Sequence, residues 1–171
     1  MHSAVATKRV PISIPDAPIA SAAASPRPLP MPPLAMGASG IEMGTRFVAT
    51  AECIAHEHYK QALVEAKETD TTIIERSLGT PGRVLRNPMA DRILQMEELE
   101  QRDDVLAAIR GAVNQRGAIE GDLENGWIWS GQVTGLIHDV PTVKELLERM
   151  TGEAFELISS AQSRFAPGQT S

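Results

Sequence analysis

A short apolar stretch that ends in a glycine turn constrains this sequence more than any other feature. Residues Gly40 to Met43 read as a buried strand, and Gly44 and Thr45 follow directly after it. A glycine at such a turn lets backbone N–H groups approach a phosphate, because no Cβ stands in the way. A helix predicted from about Thr50 would add the positive end of its dipole. Strand ends also use glycine for ordinary turns, so the residues alone leave an anion site and a plain turn both open.

The composition predicts a single soluble globular domain. The chain has 171 residues, of which 42% are hydrophobic and 22% charged, and this length allows a sizeable core. A net charge of −6 without a basic cluster argues against a nucleic-acid surface. No apolar run reaches the length of about 18 residues that a membrane span needs, and no signal-peptide segment follows Lys8 and Arg9.

Cysteine usage indicates the compartment. Cys53 is the only cysteine, so no internal disulfide can form and a reducing cytoplasm is expected. Its place in an apolar helical pattern favours a small core residue over a reactive thiol.

Residues 1–36 are set apart by proline. Eight of the twelve prolines fall between Pro11 and Pro33, and each removes a backbone N–H donor and clashes with a preceding helical turn. Such a run cannot continue a helix or a central strand. We therefore predict a disordered or polyproline-like arm, in which Ala17 to Ser21 can still form a short strand. A ligand for a proline-binding domain is the less favoured alternative.

Local patterns predict the elements that follow the turn. A helix is predicted over Ala51 to Lys67 with Thr50 as its N-cap. Thr71 to Ile74 reads as a strand that leads into a turn at 79–82. The further predictions are helices over 89–99 and 103–114, a loop over 117–126, and packing of Trp127 and Trp129 against the core.

The last helix has the clearest local signal. Thr142 and Glu145 form a capping box just after Pro141. Apolar residues then recur at helical spacing for about five turns, and burying them is worth on the order of 10 kcal/mol before the entropy cost. We expect this helix to dock on another surface. The predicted apolar face consists of Val143, Leu146, Leu147, Met150, Ala154, Leu157, Ile158 and Ala161.

Residues that can bind metals or anions have plainer interpretations here. His56 and His58 are two positions apart, so on a helix they point to different faces and no metal site is predicted. Three arginines could hold an anion, but a solvated basic edge is favoured. The arginines are Arg76, Arg83 and Arg86, and the acids interpreted as a solvated face are Glu97, Glu98 and Glu100.

The segment from about Gly37 to Phe165 resembles the nitronate monooxygenases, the 2-nitropropane dioxygenase family. The run Gly-Ala-x-Gly-Ile-x-Met-Gly-Thr-Arg-Phe at 37–47 is similar to the last barrel strand of that family, where it holds the phosphate of FMN. Matches continue in the family's order. They are His56, Lys60-Gln61-Ala62-Leu63, Arg76-Ser77-Leu78, Thr80, Arg83-Val84, Arg86-Asn87, Glu120-Gly121-Asp122, Ser130-Gly131-Gln132, Gly135-Leu136-Ile137-His138-Asp139 and Pro141.

The resemblance implies an α/β fold. It implies the C-terminal fragment of an FMN-binding (β/α)8 TIM barrel with a mainly helical segment. The N-terminal part of the barrel is missing, since a full barrel takes about 250 residues. The implied organisation is an arm at 1–36, the barrel portion at 37–165 and a tail at 166–171.

The resemblance also implies a chemistry. FMN is the implied cofactor, and the matching positions for it are Glu42, Met43, Gly44 and Thr45. The implied reaction oxidises alkyl nitronates with O₂ to a carbonyl compound and nitrite. The implied partners are a small-molecule nitronate and O₂, with no nucleic acid, no membrane and self-association left open.

Departures from the family pattern limit this expectation. The family's Ala-Gly-Gly-His segment, which carries the catalytic histidine, has no counterpart, so no catalytic residue is assigned and the isolated chain is expected to be inactive. Ala22 and Ala23 replace a Gly-Gly that shares the FMN phosphate, Ile128 stands where the family has Trp, and Gly79 stands where it prefers Asn. Two alternatives remain open: a non-catalytic remnant or partner-dependent half-barrel, and a relative of the flavin-dependent enoyl-acyl-carrier-protein reductases.

Overall fold

A computed structural model describes residues 19–21 and 40–165 of the chain. The predictions for the rest of the arm and for the tail lie outside the described residues. The elements follow in the order β1 (Ile19–Ser21), β2 (Gly40–Glu42), α1 (Thr45–Val48), α2 (Glu57–Glu65), β3 (Thr71–Ile74), β4 (Gly82–Leu85), α3 (Pro88–Glu98), α4 (Arg102–Ile109), α5 (Val113–Ala118), a 3-10 helix (Gln132–Leu136) and α6 (Val143–Phe165).

Strands β1 and β2 form a two-stranded parallel sheet, with Ile19 opposite Gly40 and Ser21 opposite Glu42. Both predicted strands are therefore confirmed. The prediction that β2 is buried is wrong, because Ile41 is only half-buried and Glu42 is exposed. Among the described residues no third strand pairs with this sheet.

Strands β3 and β4 form an antiparallel hairpin, with Thr71 opposite Leu85. Residues 128–130 extend it on the β4 side, since Leu85 N–H donates to the Ile128 carbonyl at 3.0 Å and Ser130 N–H donates to the Arg83 carbonyl at 3.1 Å. The turn predicted at 79–82 ends one residue early, because Gly82 already belongs to β4. The ring of Trp129 lies so close to Gly82 that a Cβ there would collide with it.

Over the described ranges, the core consists of two clusters that meet at the hairpin. The first lies between β3, β4 and the helices α3 to α5, and the second lies between α1, α2 and the segment around the 3-10 helix. The first contains Ile74, Val84, Met89, Ala90, Ile93, Val105, Val113 and Trp127. The second contains Ala49, Ala55, Tyr59, Leu63, Leu85, Ile128 and Ile137.

The helix predicted from Ala51 begins later, at Glu57. His56 is its N-cap, and the His56 Nδ1 accepts a hydrogen bond from the His58 N–H at 3.1 Å. The backbone of the residues up to this cap forms hydrogen bonds with distant segments. Ala51 N–H donates to the Pro141 carbonyl at 2.9 Å, and His56 N–H donates to the Ala118 carbonyl at 2.8 Å. These long-range bonds override the local helix signal.

The helices around residues 88–118 follow their local signals except at one break. Helix α3 is confirmed, with the Asn87 side chain accepting from the Ala90 N–H at 2.9 Å and Pro88 in the first turn. The single helix predicted over 103–114 is two helices. They are separated at Gly111 and Ala112, which have φ of 89° and 60°, values that an α-helix cannot contain.

Helix α6 has the predicted capping box, in which the Thr142 N–H donates to Glu145 at 2.8 Å and the Glu145 N–H donates to the Thr142 hydroxyl at 3.2 Å. Its predicted apolar face is only partly buried. Leu146, Met150 and Ala154 are buried, whereas Leu147 and Ile158 are exposed.

The two tryptophans also differ from the prediction. Trp127 is buried in the first core cluster, but Trp129 is substantially exposed. Trp129 lies beside the hairpin strand β4, where its ring covers Gly82.

Candidate functional site

The predicted phosphate turn lies between β2 and α1. Gly44 is the N-cap of α1 with φ −93° and ψ −67°, an ordinary conformation that does not itself require glycine. A Cβ on Gly44 would meet nothing within 4 Å. Glycine therefore leaves this turn open to an approaching group rather than relieving strain.

The backbone of the turn offers donors. The Gly44 carbonyl accepts from the Phe47 N–H at 3.0 Å and the Val48 N–H at 3.3 Å. The first N–H groups of a helix have no partner within it. In the described part of the chain, the N–H groups of Gly44 and Thr45 donate to no carbonyl outside regular helices and strands. They remain available to an anionic oxygen.

The hydroxyl of Thr45 is held by a distant loop. Thr45 Oγ1 accepts a hydrogen bond from the Gly131 N–H at 2.9 Å. A hydroxyl carries one donor beside its two acceptor positions, so this contact fixes the oxygen and leaves its proton for another acceptor. Gly131 belongs to the Ser-Gly-Gln motif, which explains why that motif accompanies the turn.

Arg46 anchors α1 from inside. Its side chain is buried, and one guanidinium nitrogen donates to the carbonyls of Ala49 at 3.2 Å and Asp139 at 3.1 Å. The other nitrogen donates to the Asp139 carboxylate at 2.7 Å. Burial lowers the pKa of Arg46, and the nearby Asp139 carboxylate opposes this shift.

Asp139 joins two arginines. Arg149 on α6 donates to the same carboxylate at 2.7 and 3.3 Å. The hydrogen bond from Arg149 lowers the pKa of Asp139, and the charge of Arg46 lowers it further against the opposing effect of burial. The resulting cluster of Arg46, Asp139 and Arg149, here called the arginine clamp, ties α1 to α6.

One local contact and one long-range contact lie beside the clamp. Thr50 Oγ1 donates to the Phe47 carbonyl at 2.8 Å, so Thr50 bonds back to α1 rather than capping α2. Both carboxylate oxygens of Glu52 accept from the Val143 N–H, at 2.9 and 3.0 Å. A carboxylate at a helix N-terminus satisfies a free donor and interacts favourably with the helix dipole.

The three histidines that lie in the described residues form no catalytic or metal cluster. His56 and His58 contact each other edge to face with ring centroids 4.5 Å apart, and His138 is exposed. Within the described residues, no group of three or more His, Cys, Asp or Glu side chains is placed to hold a metal ion.

The predicted arginine edge is divided among separate partners. Arg83 donates to the Thr71 hydroxyl at 3.0 Å, and Arg86 pairs with Asp91 at 2.8 Å. Of the three predicted solvated acids, Glu98 and Glu100 are exposed but Glu97 has a structural contact. Glu97 accepts from both the N–H and the hydroxyl of Ser77 at 2.8 Å and so holds the turn after β3.

An open groove of about 650 Å³ lies between β3, the following turn and α3. Beside it, Glu75 is buried, has a left-handed φ of 64° and has its pKa raised by burial. The groove shares no residue with the predicted phosphate turn. The residues that line it are Thr72, Ile73, Arg76, Ser77, Leu94, Glu97 and Glu98.

Sequence reasoning missed the arginine clamp. Arg46 and Asp139 each lie in a motif that carried the family resemblance, but 93 positions separate them. Arg46 itself gave one usable signal, because an arginine inside an apolar segment requires an acidic partner. Nothing local identified Asp139 as that partner.

No helix of the described residues is long and apolar enough to cross a membrane. This finding concerns the part of the chain from β1 to α6 that the structure describes.

The chain is similar to known proteins in sequence and in structure. A probable nitronate monooxygenase of Staphylococcus saprophyticus is 26% identical, over 74% of this chain and 35% of that protein. A 5-hydroxy-7a-methyl-1-oxo-octahydro-1H-indene-4-carboxyl-CoA dehydrogenase of Mycobacterium tuberculosis is also 26% identical, over 76% of this chain and 47% of that protein.

The structure resembles that of FabK from Thermotoga maritima, with a TM-score of 0.74 and 35% sequence identity. The match covers 86% of this chain and 47% of that one. The chain thus spans from about a third to a half of the length of the relatives it matches. A family model described as nitronate monooxygenase matches residues 32–153. The chain belongs to the nitronate monooxygenase family.

Proposed function

We propose that this chain is the C-terminal, phosphate-binding portion of an FMN-dependent nitronate monooxygenase. In this proposal residues 37–165 form part of a (β/α)8 barrel, residues 1–36 form a separate arm, and the protein works in the cytoplasm. The FMN phosphate lies against the turn formed by Glu42, Met43, Gly44 and Thr45.

The observation that carries the proposal is the geometry of Gly44 and Thr45 inside a region that matches the family. Open space lies where a Gly44 Cβ would be, and the Thr45 oxygen is fixed by the Gly131 N–H. Two backbone N–H groups and one hydroxyl proton can therefore converge on a phosphate. These donors suit a dianionic group.

In this proposal the chain's own residues bind the FMN phosphate and orient it. When bound, FMN would supply the electron-accepting chemistry by which O₂ oxidises an alkyl nitronate to a carbonyl compound and nitrite. The Thr45 hydroxyl and the two amides would fix the phosphate. The arginine clamp would keep α1 in place when the phosphate binds, because Arg46 is hydrogen-bonded both to Ala49 in its own segment and to Asp139.

A base toward nitroalkanes is not provided by the described residues near the turn. His56 is engaged as the cap of α2, His58 contacts the Gly121 carbonyl at 3.1 Å, and His138 is exposed. We therefore expect no nitronate oxidation by the isolated chain, even with excess FMN. Nitrite release well above a buffer control would contradict this expectation.

Flavin binding tests the assignment directly. The purified chain is titrated with FMN, and binding is followed by flavin fluorescence and absorbance. Gly44→Val should abolish binding, since its side chain fills the space left for the phosphate. Gly152→Val is the matched control, because a Cβ at Gly152 also meets nothing within 4 Å and lies on α6. Stoichiometric FMN in Gly44→Val would rule out the turn as the phosphate site.

Two other functions remain as alternatives. The structural likeness to FabK favours keeping a flavin-dependent enoyl-acyl-carrier-protein reductase as the second candidate, which would oxidise a reduced pyridine nucleotide in the presence of FMN. A chain that binds no FMN at all would favour the non-catalytic remnant. Both outcomes are read from the same titration, with and without added NADH or NADPH.

A further inference from the structure

Two buried hydroxyl groups lie beside the loop that contacts Thr45. Ser130 is 3% exposed and Thr134 is fully buried. Ser130 precedes Gly131, and Thr134 lies inside the 3-10 helix Gln132–Leu136. A buried hydroxyl loses its bonds to water, a cost that a valine of nearly the same shape would not carry. Packing alone therefore does not account for this pair.

The hydrogen bonds of the pair run in one direction. Thr134 Oγ1 donates to the Gly131 carbonyl at 2.7 Å. A hydroxyl has one proton, so Thr134 accepts in its contact with the Ser130 hydroxyl. Ser130 Oγ also lies 3.4 Å from the Gly131 carbonyl, which is a longer contact. The bonds thus lead from Ser130 through Thr134 to Gly131, and hydrogen bonds in such a chain strengthen one another.

Gly131 is held on both sides of its Cα. Its carbonyl also accepts from the Thr134 N–H at 3.2 Å, and its own N–H donates to Thr45 Oγ1 at 2.9 Å. A Cβ on Gly131 would come within 3.4 Å of Thr45 Oγ1, so the loop approaches the turn closely. The position of the Gly131 N–H, and with it that of the Thr45 oxygen, therefore depends on the two bonds from Thr134.

This contact determines what the Thr45 hydroxyl can do. A threonine hydroxyl rotates to suit its surroundings and can bond back to nearby backbone groups. Because Thr45 Oγ1 accepts from Gly131, its oxygen is fixed while its proton stays available. A donor that is already held in place loses less conformational freedom when a ligand binds.

We infer that Thr134 is a positioning residue of the phosphate site, which acts through Gly131 to hold the Thr45 hydroxyl toward the phosphate of FMN. This inference rests on the proposed function. It identifies a determinant by which the chain would prefer FMN to riboflavin, which has the same ring system but no phosphate. Thr134 lies between the matching motifs at 130–132 and 135–139 and belongs to neither.

Flavin titration of the full 171-residue chain tests the inference. FMN and riboflavin are each titrated into the unchanged chain and three variants, with binding followed by flavin fluorescence. Thr134→Val keeps the shape and removes the hydroxyl, and Thr134→Ser restores the hydroxyl. Ser77→Ala is the matched control, because it removes a hydroxyl that donates to Glu97 at 2.8 Å beside a groove that shares no residue with the turn.

The effect should be specific to the phosphate. Thr134→Val should raise the Kd for FMN by about fivefold, the size expected for one hydrogen bond, and leave the Kd for riboflavin unchanged. Thr134→Ser and Ser77→Ala should leave both constants within about twofold of the unchanged chain. A purely structural role of Thr134 would weaken the binding of both flavins together.

Amide hydrogen exchange gives a second measurement that needs no flavin. Thr134→Val should speed the exchange of the Gly131 N–H, because the residue that holds Gly131 in place has lost its hydroxyl. The Ala51 N–H is the internal reference, since it donates to the Pro141 carbonyl at 2.9 Å and does not depend on Thr134.

The outcomes separate this inference from the proposed function. If the unchanged chain and Thr134→Val bind FMN equally, the inference is wrong and the proposed function stands. Equal weakening of FMN and riboflavin also overturns the inference. A chain that binds no FMN contradicts the proposed function and with it the phosphate role of Thr134. Exchange at Gly131 that does not change in Thr134→Val would show that Thr134 does not position Gly131 at all.

Discussion

The two small sheets that the described residues form are stabilised in different ways. Hairpin β3–β4 joins strands that are close in sequence, and Ile74 and Val84 are fully buried within its core cluster. The pair β1–β2 joins strands whose paired residues lie 21 positions apart, as with Ile19 and Gly40, and Ile41 is only half-buried. The hairpin has its own core, whereas the parallel pair depends on what surrounds it.

The difference extends to the elements that follow each sheet. After the hairpin, helices α3 to α5 pack on it through apolar side chains. After β2, the short α1 is held by the arginine clamp and by a backbone bond from Ala51 to Pro141. The segment with the predicted phosphate turn is therefore held by polar contacts as well as by the second core cluster, and polar contacts are directional and sensitive to single substitutions.

Truncation of one isoleucine in each sheet should give the largest difference in stability between the two sheets. Ile74→Ala should lower the free energy of unfolding by about 3 kcal/mol, because it removes a fully buried side chain. Ile41→Ala should cost less than about 1 kcal/mol, since its side chain is half-exposed. Urea unfolding followed by circular dichroism measures both, and equal losses would mean that the parallel pair has a complete core of its own.

Removal of the negative charge at Asp139 tests how much the arginine clamp stabilises the fold. Asp139→Asn should lower the free energy of unfolding by about 2 kcal/mol, because Arg46 stays buried without its carboxylate. This is below the roughly 3 to 5 kcal/mol typical of a fully buried pair, since 45% of the Asp139 side chain is exposed. Arg149→Ala should have a smaller effect, as its side chain is itself partly exposed.

The same carboxylate predicts a pH dependence. Its pKa is lowered from 3.8 in the folded chain, so the unfolded chain binds the proton more readily. The clamp's contribution is therefore present above the unfolded pKa and is lost as the pH falls through the folded pKa. The stability difference between the unchanged chain and Asp139→Asn should shrink as the pH is lowered from 7 to 3. A constant difference would show that Asp139 acts through packing alone.

A smaller effect than that of Asp139→Asn is expected at the start of α6. Thr142→Ala should lower the free energy of unfolding by about 1 kcal/mol, because the capping box loses its hydroxyl. Glu52 still caps the Val143 N–H in this variant, which limits the loss. Differential scanning calorimetry checks this value, and a loss above that of Asp139→Asn would show that the capping box stabilises the fold more than the arginine clamp does.

Local signals predicted the elements whose ends are set by neighbouring residues. The capping box at Thr142 and the Asn-Pro pair at 87–88 act within one turn, so α6 and α3 could be predicted from sequence. The start of α2 could not, because the bonds that draw residues 51–56 away from a helix come from Pro141 and Ala118. A residue that is helical by propensity has no local sign of such a distant partner.

The candidate site divides in the same way. Gly44 and Thr45 could be identified from the turn chemistry and the family motif, and their role in flavin binding stays a prediction. Two contacts could not be identified from sequence, the clamp between Arg46 and Asp139 and the bond between Thr45 and Gly131. Both join segments that come together only when the chain has folded. The predicted position of Trp129 in the core was wrong for a related reason. Its ring covers a glycine of β4 at the surface, and periodicity does not distinguish such a place from the core.

The contact between Glu52 and Val143 joins residues 91 positions apart, and this separation affects how the protein is made. Ribosomes add about 5 to 20 residues per second, so the segment from Arg46 to Glu52 waits roughly 5 to 20 seconds before its partners Asp139, Pro141 and Val143 are synthesised. The hairpin and α3 can form during that interval, because their contacts are local. We expect the turn at Gly44 to be the last part of the nascent chain to become ordered, and the one most exposed to proteases and chaperones during synthesis.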